Sequence, residues 1–245
     1  MAATTPVIEI KNVSKSFGDN EVLKGINITL MEGEDLIIIG KSGSGKSVTI
    51  KCLVGLLTAD EGEIKVFGTD ITHASHSELN EIRSRIGFLF QNGALYDSMS
   101  VRQNLAFTLK HHNRGLAPEE VQNMIMEALE SVGLEEAIDK MPSELSGGMR
   151  KRIGLARALI IKPEILLYDE PTSGLDTITS REITELMLST QQKRKTASIM
   201  ITHDMASAKL AGNKIMVLKD GKISAEGSYE ELEKSKDEWV RSFFI

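Results

Sequence analysis

The chain has one cysteine, Cys52, in 245 residues, so no intrachain disulfide can form and a disulfide-stapled fold is excluded. Cys52 lies among apolar residues just after a glycine-rich loop, where a buried helical position is expected of it rather than a reactive thiol. No apolar run approaches the roughly 20 residues that a spanning helix needs. The N-terminus lacks a basic stretch followed by an apolar secretory core. The expectation is a cytoplasmic, soluble chain, with any membrane-spanning segment supplied by a partner. Basic residues are in the minority, 29 Lys and Arg against 35 Asp and Glu, for a net charge of −6. That balance does not point to a chain held on nucleic acid by charge, and nucleic acid is not among the expected partners, although a local patch is compatible with it. Repeats, low-complexity linkers and sustained heptads are also missing. What remains is an ordinary globular composition, 41% hydrophobic and 26% charged, in a chain long enough for one well-filled core or two modest domains.

The apolar pattern alternates between two kinds of strand. Val7 to Val13 and Val22 to Leu30 read as half-buried strands joined by a turn at Gly18-Asp-Asn20, and Gly62 to Gly68 as a short strand flanked by glycines. Leu36 to Ile39, Ile86 to Phe90, Ile165 to Tyr168 and Ala197 to Ile201 are short apolar runs, those at Leu36 and Ile165 continuously so, as expected of core strands covered on both faces. Helices are expected from Lys46 to about Leu57, from Glu119 to Gly133, from Met149 through Ile161 and from Glu182 to Leu188. Ile215 to Leu218, Asp220-Gly221 and Lys222 to Ala225 form a hairpin signal. In the tail, Leu232, Trp239, Val240, Phe243 and Phe244 are spaced for one helical face, which packs either on the chain's own core or on a partner.

The chemistry is concentrated in a few short segments. Gly40-Lys-Ser-Gly-Ser-Gly-Lys-Ser47 fits the phosphate-loop pattern without a mismatch and follows the strand Leu36 to Ile39. Its glycines let the backbone curl so that successive N–H groups face an anion. Lys46 reaches the β and γ phosphates, and the Ser47 hydroxyl can complete a magnesium shell. The nucleotide-binding candidates are thus Gly40, Ser42, Gly43, Ser44, Gly45, Lys46, Ser47 and the adjoining Val48. Ile165-Leu-Leu-Tyr-Asp-Glu170 puts two carboxylates at the end of a buried strand, where Asp169 can hold the metal directly or through water and Glu170 can polarise a water opposite the γ phosphate.

With Leu145-Ser-Gly-Gly-Met149 ahead of that acidic pair, the chain resembles an ATP-binding-cassette nucleotide-binding domain over essentially its whole length. The resemblance implies an α/β fold: a P-loop NTPase (RecA-like) core, an N-terminal antiparallel β subdomain and an inserted α-helical subdomain at approximately 92–160, in one cassette spanning 1–245. It implies ATP hydrolysis with Mg2+ in a head-to-tail homodimer, with Ser146, Gly147 and Gly148 of one copy binding the γ phosphate held by the other. Met149 stands where the family usually has glutamine, beside the direct phosphate ligands. By the same resemblance, Gln91 approaches magnesium and the attacking water, His203 contacts the γ phosphate and orients the catalytic centre, and Gly174-Leu-Asp176 communicates between paired sites. Asp176 can also cap the helix that follows. Phe17 matches the aromatic that stacks on adenine, with a core position as the alternative. His73, His76, His111 and His112 match no family element.

Phe90-Gln-Asn-Gly-Ala-Leu-Tyr-Asp-Ser-Met-Ser-Val101 is similar to the corresponding stretch in ATPases of the Mla/Mce lipid-transport group, with weaker support from Asn104 to Leu109 and Trp239 to Phe244. That likeness implies a place on the cytoplasmic side of a bacterial inner membrane. It implies phospholipid or other lipid transport powered through integral permease subunits, with transport of a different solute or a non-transport switch as the alternatives. A Mce-type lipid-binding protein and a small accessory subunit are the further partners implied. Leu95, Tyr96 and Met99 are candidate permease contacts, with internal packing as the alternative.

Overall fold

The computed structural model describes residues 6–113, 115–211 and 213–244. In chain order its strands and helices are β1 (Ile8–Phe17), β2 (Asn20–Leu30), β3 (Asp35–Ile39), α1 (Lys46–Leu53), β4 (Glu61–Val66), β5 (Thr69–Asp70), α2 (His76–Ser84), β6 (Ile86–Leu89), α3 (Val101–His112), α4 (Pro118–Glu130), α5 (Gly147–Leu159), β7 (Ile165–Asp169), α6 (Thr177–Arg194), β8 (Ala197–Ile201), α7 (Met205–Ala211), β9 (Lys214–Lys219), β10 (Lys222–Gly227), α8 (Tyr229–Glu233) and α9 (Glu238–Arg241).

Two sheets follow from the two strand patterns. The alternating segments pair antiparallel in the order β2-β1-β4-β5, and the apolar runs, joined at one edge by the β9-β10 hairpin, form the second sheet, β10-β9-β3-β8-β7-β6. From β9 to β6 every pairing in that second sheet is parallel, and β10 returns antiparallel at its edge. Each central strand feeds two cores because successive side chains point to opposite faces. Leu36 and Ile38 of β3, with Ile165 and Leu167 of β7, join β1, β2 and α1. Ile37, Ile39, Leu166 and Tyr168 join α3 to α7 on the other side. A strand apolar on both faces therefore reads as an uninterrupted apolar run.

Several boundaries differ from the sequence reading. α1 stops at Leu53 rather than near Leu57, because Gly55 adopts φ +66° and the Leu56 and Leu57 N–H groups turn back to the Lys51 carbonyl. α5 begins two residues before Met149, since Ser146 supplies its N-cap. α6 runs well beyond Glu182 to Leu188 in both directions, starting where Asp176 accepts the N–H groups of Ile178 and Thr179. The tail is two short helices rather than one face of a single helix, broken before Asp237, which caps the second. Leu232, Val240 and Phe244 are buried on the chain's own core, and Trp239 and Phe243 pack half-buried against it. Helices α2 and α7 match no helix expected from the sequence, and α3 is covered only by the helical region expected after Gln91. Helices α2 and α3 are set by their starts. Both open on capping boxes, at Ser75 with Glu78 and at Ser100 with Gln103.

Candidate functional site

In an open parallel sheet, ligands gather beyond the carboxyl ends of the strands. Here that edge carries the chemistry in spatial order. The glycine-rich loop follows β3, His203 follows β8, Asp169 and Glu170 end β7, and Gln91 follows β6, on four strands that are neighbours in the sheet. At about 4.8 Å per strand the row is roughly 14 Å long.

The loop 40–47 is shaped by close packing. A Cβ on Gly40 would lie 2.4 Å from the Leu218 carbonyl oxygen and 2.7 Å from Ser44 Oγ, and one on Gly45 would lie 2.7 Å from Leu23 Cδ2. Gly43 (φ +79°) and Gly45 (φ +108°) hold conformations that side chains rarely adopt. Lys46, 8% exposed, folds over its own loop and donates to the Gly40 carbonyl at 2.7 Å and the Lys41 carbonyl at 3.1 Å. Burial pushes its pKa below the usual lysine value, against the pull of Glu170 and Asp169. Ser47 Oγ donates to Asp169 Oδ1 at 3.2 Å, joining β3's loop to β7 across 122 residues of sequence.

Glu170 has left-handed backbone (φ 51°), unusual for a residue with a side chain. Its Oε2 lies 2.6 Å from His203 Nδ1, within hydrogen-bond reach. The His203 side chain is otherwise 68% exposed and that of Glu170 only 14%. Behind it, Asp204 Oδ2 accepts from Ser207 Oγ at 2.6 Å and from Thr172 Oγ1 at 3.2 Å, bracing the turn that carries His203. Gln91 is exposed and donates through Nε2 to Ser173 Oγ at 3.3 Å.

Other predicted site residues stand apart from this row. Phe17 ends β1 at the turn into β2, 48% exposed, with Lys15 Nζ 5.6 Å from its ring centre. Ser146 caps α5, its Oγ accepting from the Met149 N–H at 3.2 Å. Ser146 and Gly147 face solvent, and Gly148 abuts the start of α6, where an added Cβ would lie 2.8 Å from Thr179 Cγ2. Sequence reasoning missed Lys151, a 5% exposed cation two residues past that motif, and Thr179; neither belongs to a motif. Among the described residues no group of three or more His, Cys, Asp and Glu side chains gathers into a metal site.

A family model described as ABC transporter matches residues 23–173, most of the segment just described. The chain belongs to the ABC transporter family. The cassette is 39% identical over 236 residues to the "Probable ribonucleotide transport ATP-binding protein mkl" of Mycobacterium leprae, covering 96% of this chain and 68% of that relative. It is 36% identical over 237 residues to the intermembrane phospholipid transport system ATP-binding protein MlaF of Haemophilus influenzae, covering 97% of this chain and 89% of that one. Among solved structures, a dimeric post-hydrolysis state of an ATP-binding cassette bound to ADP and Pi superposes with a TM-score of 0.82 at 34% identity, over 90% of this chain and 98% of the other.

The cassette is therefore an ATPase with the P-loop NTPase fold, taking ATP with Mg2+. Its loop fits a phosphate. Among the described residues Ser44 Oγ is buried without a hydrogen-bond partner, a cost that an anion's oxygen would relieve. Ser47 and Asp169 offer hard oxygen atoms side by side, the donor type Mg2+ prefers.

Proposed function

We propose that the cassette hydrolyses ATP as a homodimer and thereby drives a membrane permease that moves phospholipid or a related lipid across the bacterial envelope. In this reading Glu170 takes the proton of a water as its oxygen bonds to the γ phosphorus. The bond from that phosphorus to the β–γ bridging oxygen breaks, and ADP and phosphate leave. His203 fixes the Glu170 carboxylate through the 2.6 Å hydrogen bond, and this contact is the observation that carries the assignment. Lys46 holds the β and γ phosphates, while Phe17 stacks on adenine. Ser47, Asp169 and Gln91 hold the Mg2+, which supplies charge neutralisation of the phosphates. Ser146, Gly147 and Gly148 of the second copy close over the γ phosphate, and α3 to α5 belong to a helical subdomain of roughly 92–160.

Two features support lipid as the cargo: the likeness of residues 90–101 to the Mla/Mce group, and the MlaF relative, matched over 89% of its length. Among the described residues no helix is long and apolar enough to cross a membrane, so the work reaches the bilayer through integral partners on its cytoplasmic side. Tyr96, 48% exposed and edge-on to Phe107 at 5.0 Å, is the best placed of the candidate permease contacts, while Leu95 and Met99 are half-buried. A Mce-type lipid-binding protein and a small accessory subunit complete the expected assembly. The ribonucleotide named for the mycobacterial relative makes another solute the second reading.

Glu170→Gln should lower turnover on the order of 100-fold or more, the usual loss for a general base, with ATP binding kept. Turnover near wild type removes Glu170 from the mechanism. Purification of the chain from mild detergent extracts should bring a permease, an envelope lipid-binding protein and bound phospholipid in fixed ratio. A permease with a solute-binding protein and no lipid would favour the second reading.

A further inference from the structure

The sequence around the signature turn carries a buried cation that the reaction described above does not use. Lys151 lies five residues after Ser146, about 7.5 Å further along the axis of α5, and is 5% exposed. A buried ammonium needs acceptors, and its two come from different strands. Nζ donates to the Gln91 main-chain carbonyl just after β6, and to the Glu170 main-chain carbonyl just after β7 at 3.2 Å. Burial pushes its pKa below the usual lysine value, with the nearby Glu170 and Asp169 carboxylates pulling the other way. The same face of α5 is fitted to the Gln91 loop along its length. A Cβ on Gly154 would lie 3.0 Å from the Gly93 Cα, and Arg157 Nη1 donates to the Ala94 carbonyl.

We propose that Lys151 is a positioning residue for hydrolysis, a single ammonium that ties the signature helix to the backbone of both Gln91 and Glu170. Because the three segments share one donor, α5 cannot turn without moving the carboxylate of Glu170 or the amide of Gln91. Engagement of Ser146 by the phosphates of the second copy is thereby transmitted to the base within its own chain. A misplacement of about 1 Å at a reacting centre costs up to about 100-fold in rate, so a slack tether is expected to act on kcat.

The inference rests on Glu170 and Gln91 serving hydrolysis as proposed, and the test separates the two claims. Steady-state ATPase rates, ATP KM and melting temperatures are measured on the full chain as wild type, Glu170→Gln, Lys151→Met and Lys151→Gln. Lys151→Met keeps most of the side chain's length and removes its charge and donors. Relief of the buried charge only partly offsets two carbonyls losing a donor, so melting should fall by no more than a few degrees. Its kcat should fall about tenfold or more with KM within about threefold of wild type, and Lys151→Gln, which keeps a neutral donor, should fall between. A Lys151→Met kcat within about twofold of wild type, while Glu170→Gln is inactive, overturns the proposal. So does a loss of kcat that only tracks a loss of melting temperature. If Lys151→Met fails to fold, the Lys151→Gln rate decides on the same terms, and failure of both makes the residue purely structural and overturns it. Full activity of Glu170→Gln would instead remove the hydrolytic reading beneath it.

Discussion

The two loops that should meet across an ATP, Gly40 to Ser47 and Leu145 to Met149, are built on opposite terms. Both are short and glycine-rich, and both deliver a helix N-terminus. The first is locked from outside: Gly40 abuts the Leu218 carbonyl, Gly45 abuts Leu23, and the buried Ser44 hydroxyl has no partner among the described residues. The second is satisfied from within, because Ser146 spends its hydroxyl on the Met149 N–H and leaves Gly147 facing solvent. One loop is preorganised by its packing and holds a buried hydroxyl that a phosphate oxygen would pair. In the proposed reading the other, capped from within, meets phosphate only when a second copy brings it, so affinity should reside in the first and turnover in the second.

The strongest test of that division is Gly148→Ala. The new methyl would lie 2.8 Å from Thr179 Cγ2, and Thr179 cannot rotate freely because its Oγ1 donates to Asp176 Oδ2 at 2.6 Å. The starts of α5 and α6 must therefore separate, displacing the signature turn. ATPase kcat should fall roughly tenfold or more for a displacement of even a fraction of an ångström, with binding of a fluorescent ATP analogue to the single chain unchanged. Thr179→Ser removes Cγ2 and keeps the hydroxyl, so the double variant should recover most of the rate. Loss of nucleotide affinity in Gly148→Ala would break the comparison.

Ser146→Ala should give a smaller effect of a different kind. Removing an N-cap costs about 1 kcal/mol, a drop of roughly 2–4 °C in melting temperature for a chain of this size. Turnover should fall while affinity for the first phosphate site holds. An unchanged melting temperature would show that the signature turn does not depend on its own cap.

How much of this could be read in advance depended on how local each cause was. The strands at Leu36 and Ile165 were legible because burial on both faces writes a continuous apolar run, and the one at Ala197 is interrupted only by Ser198, whose hydroxyl donates to Asp35. The hairpin was legible because Asp220 and Gly221 both take left-handed backbone at its turn (φ 48° and 82°). Helix α3 was obscured by Asn104, a polar residue with no exposed surface at a core position, whose side chain accepts the Tyr96 N–H and donates to the Tyr96, Met99 and Ser100 carbonyls. The phosphate loop and acidic pair were complete in their own few residues. Lys151 was invisible, since its acceptors lie 60 and 19 residues away and in sequence it is one more basic residue on a helix.

The finest distinction between the loops is one of sign. Ser44→Ala removes a buried hydroxyl that the protein alone does not pair, and relieving such a group should leave stability unchanged or raise it by up to about 1 kcal/mol. The same substitution at Ser146 should lower it. With ATP added the order reverses, because the alanine at 44 loses a donor to phosphate, and the melting-temperature gain on nucleotide binding should shrink relative to wild type. Thermal shifts of both variants with and without ATP, four numbers set against two from the wild type, would show whether the two serines differ as described. A Ser44→Ala chain that melts lower than wild type without nucleotide would mean that Ser44 is already paired, and that the phosphate loop is as self-contained as the signature turn.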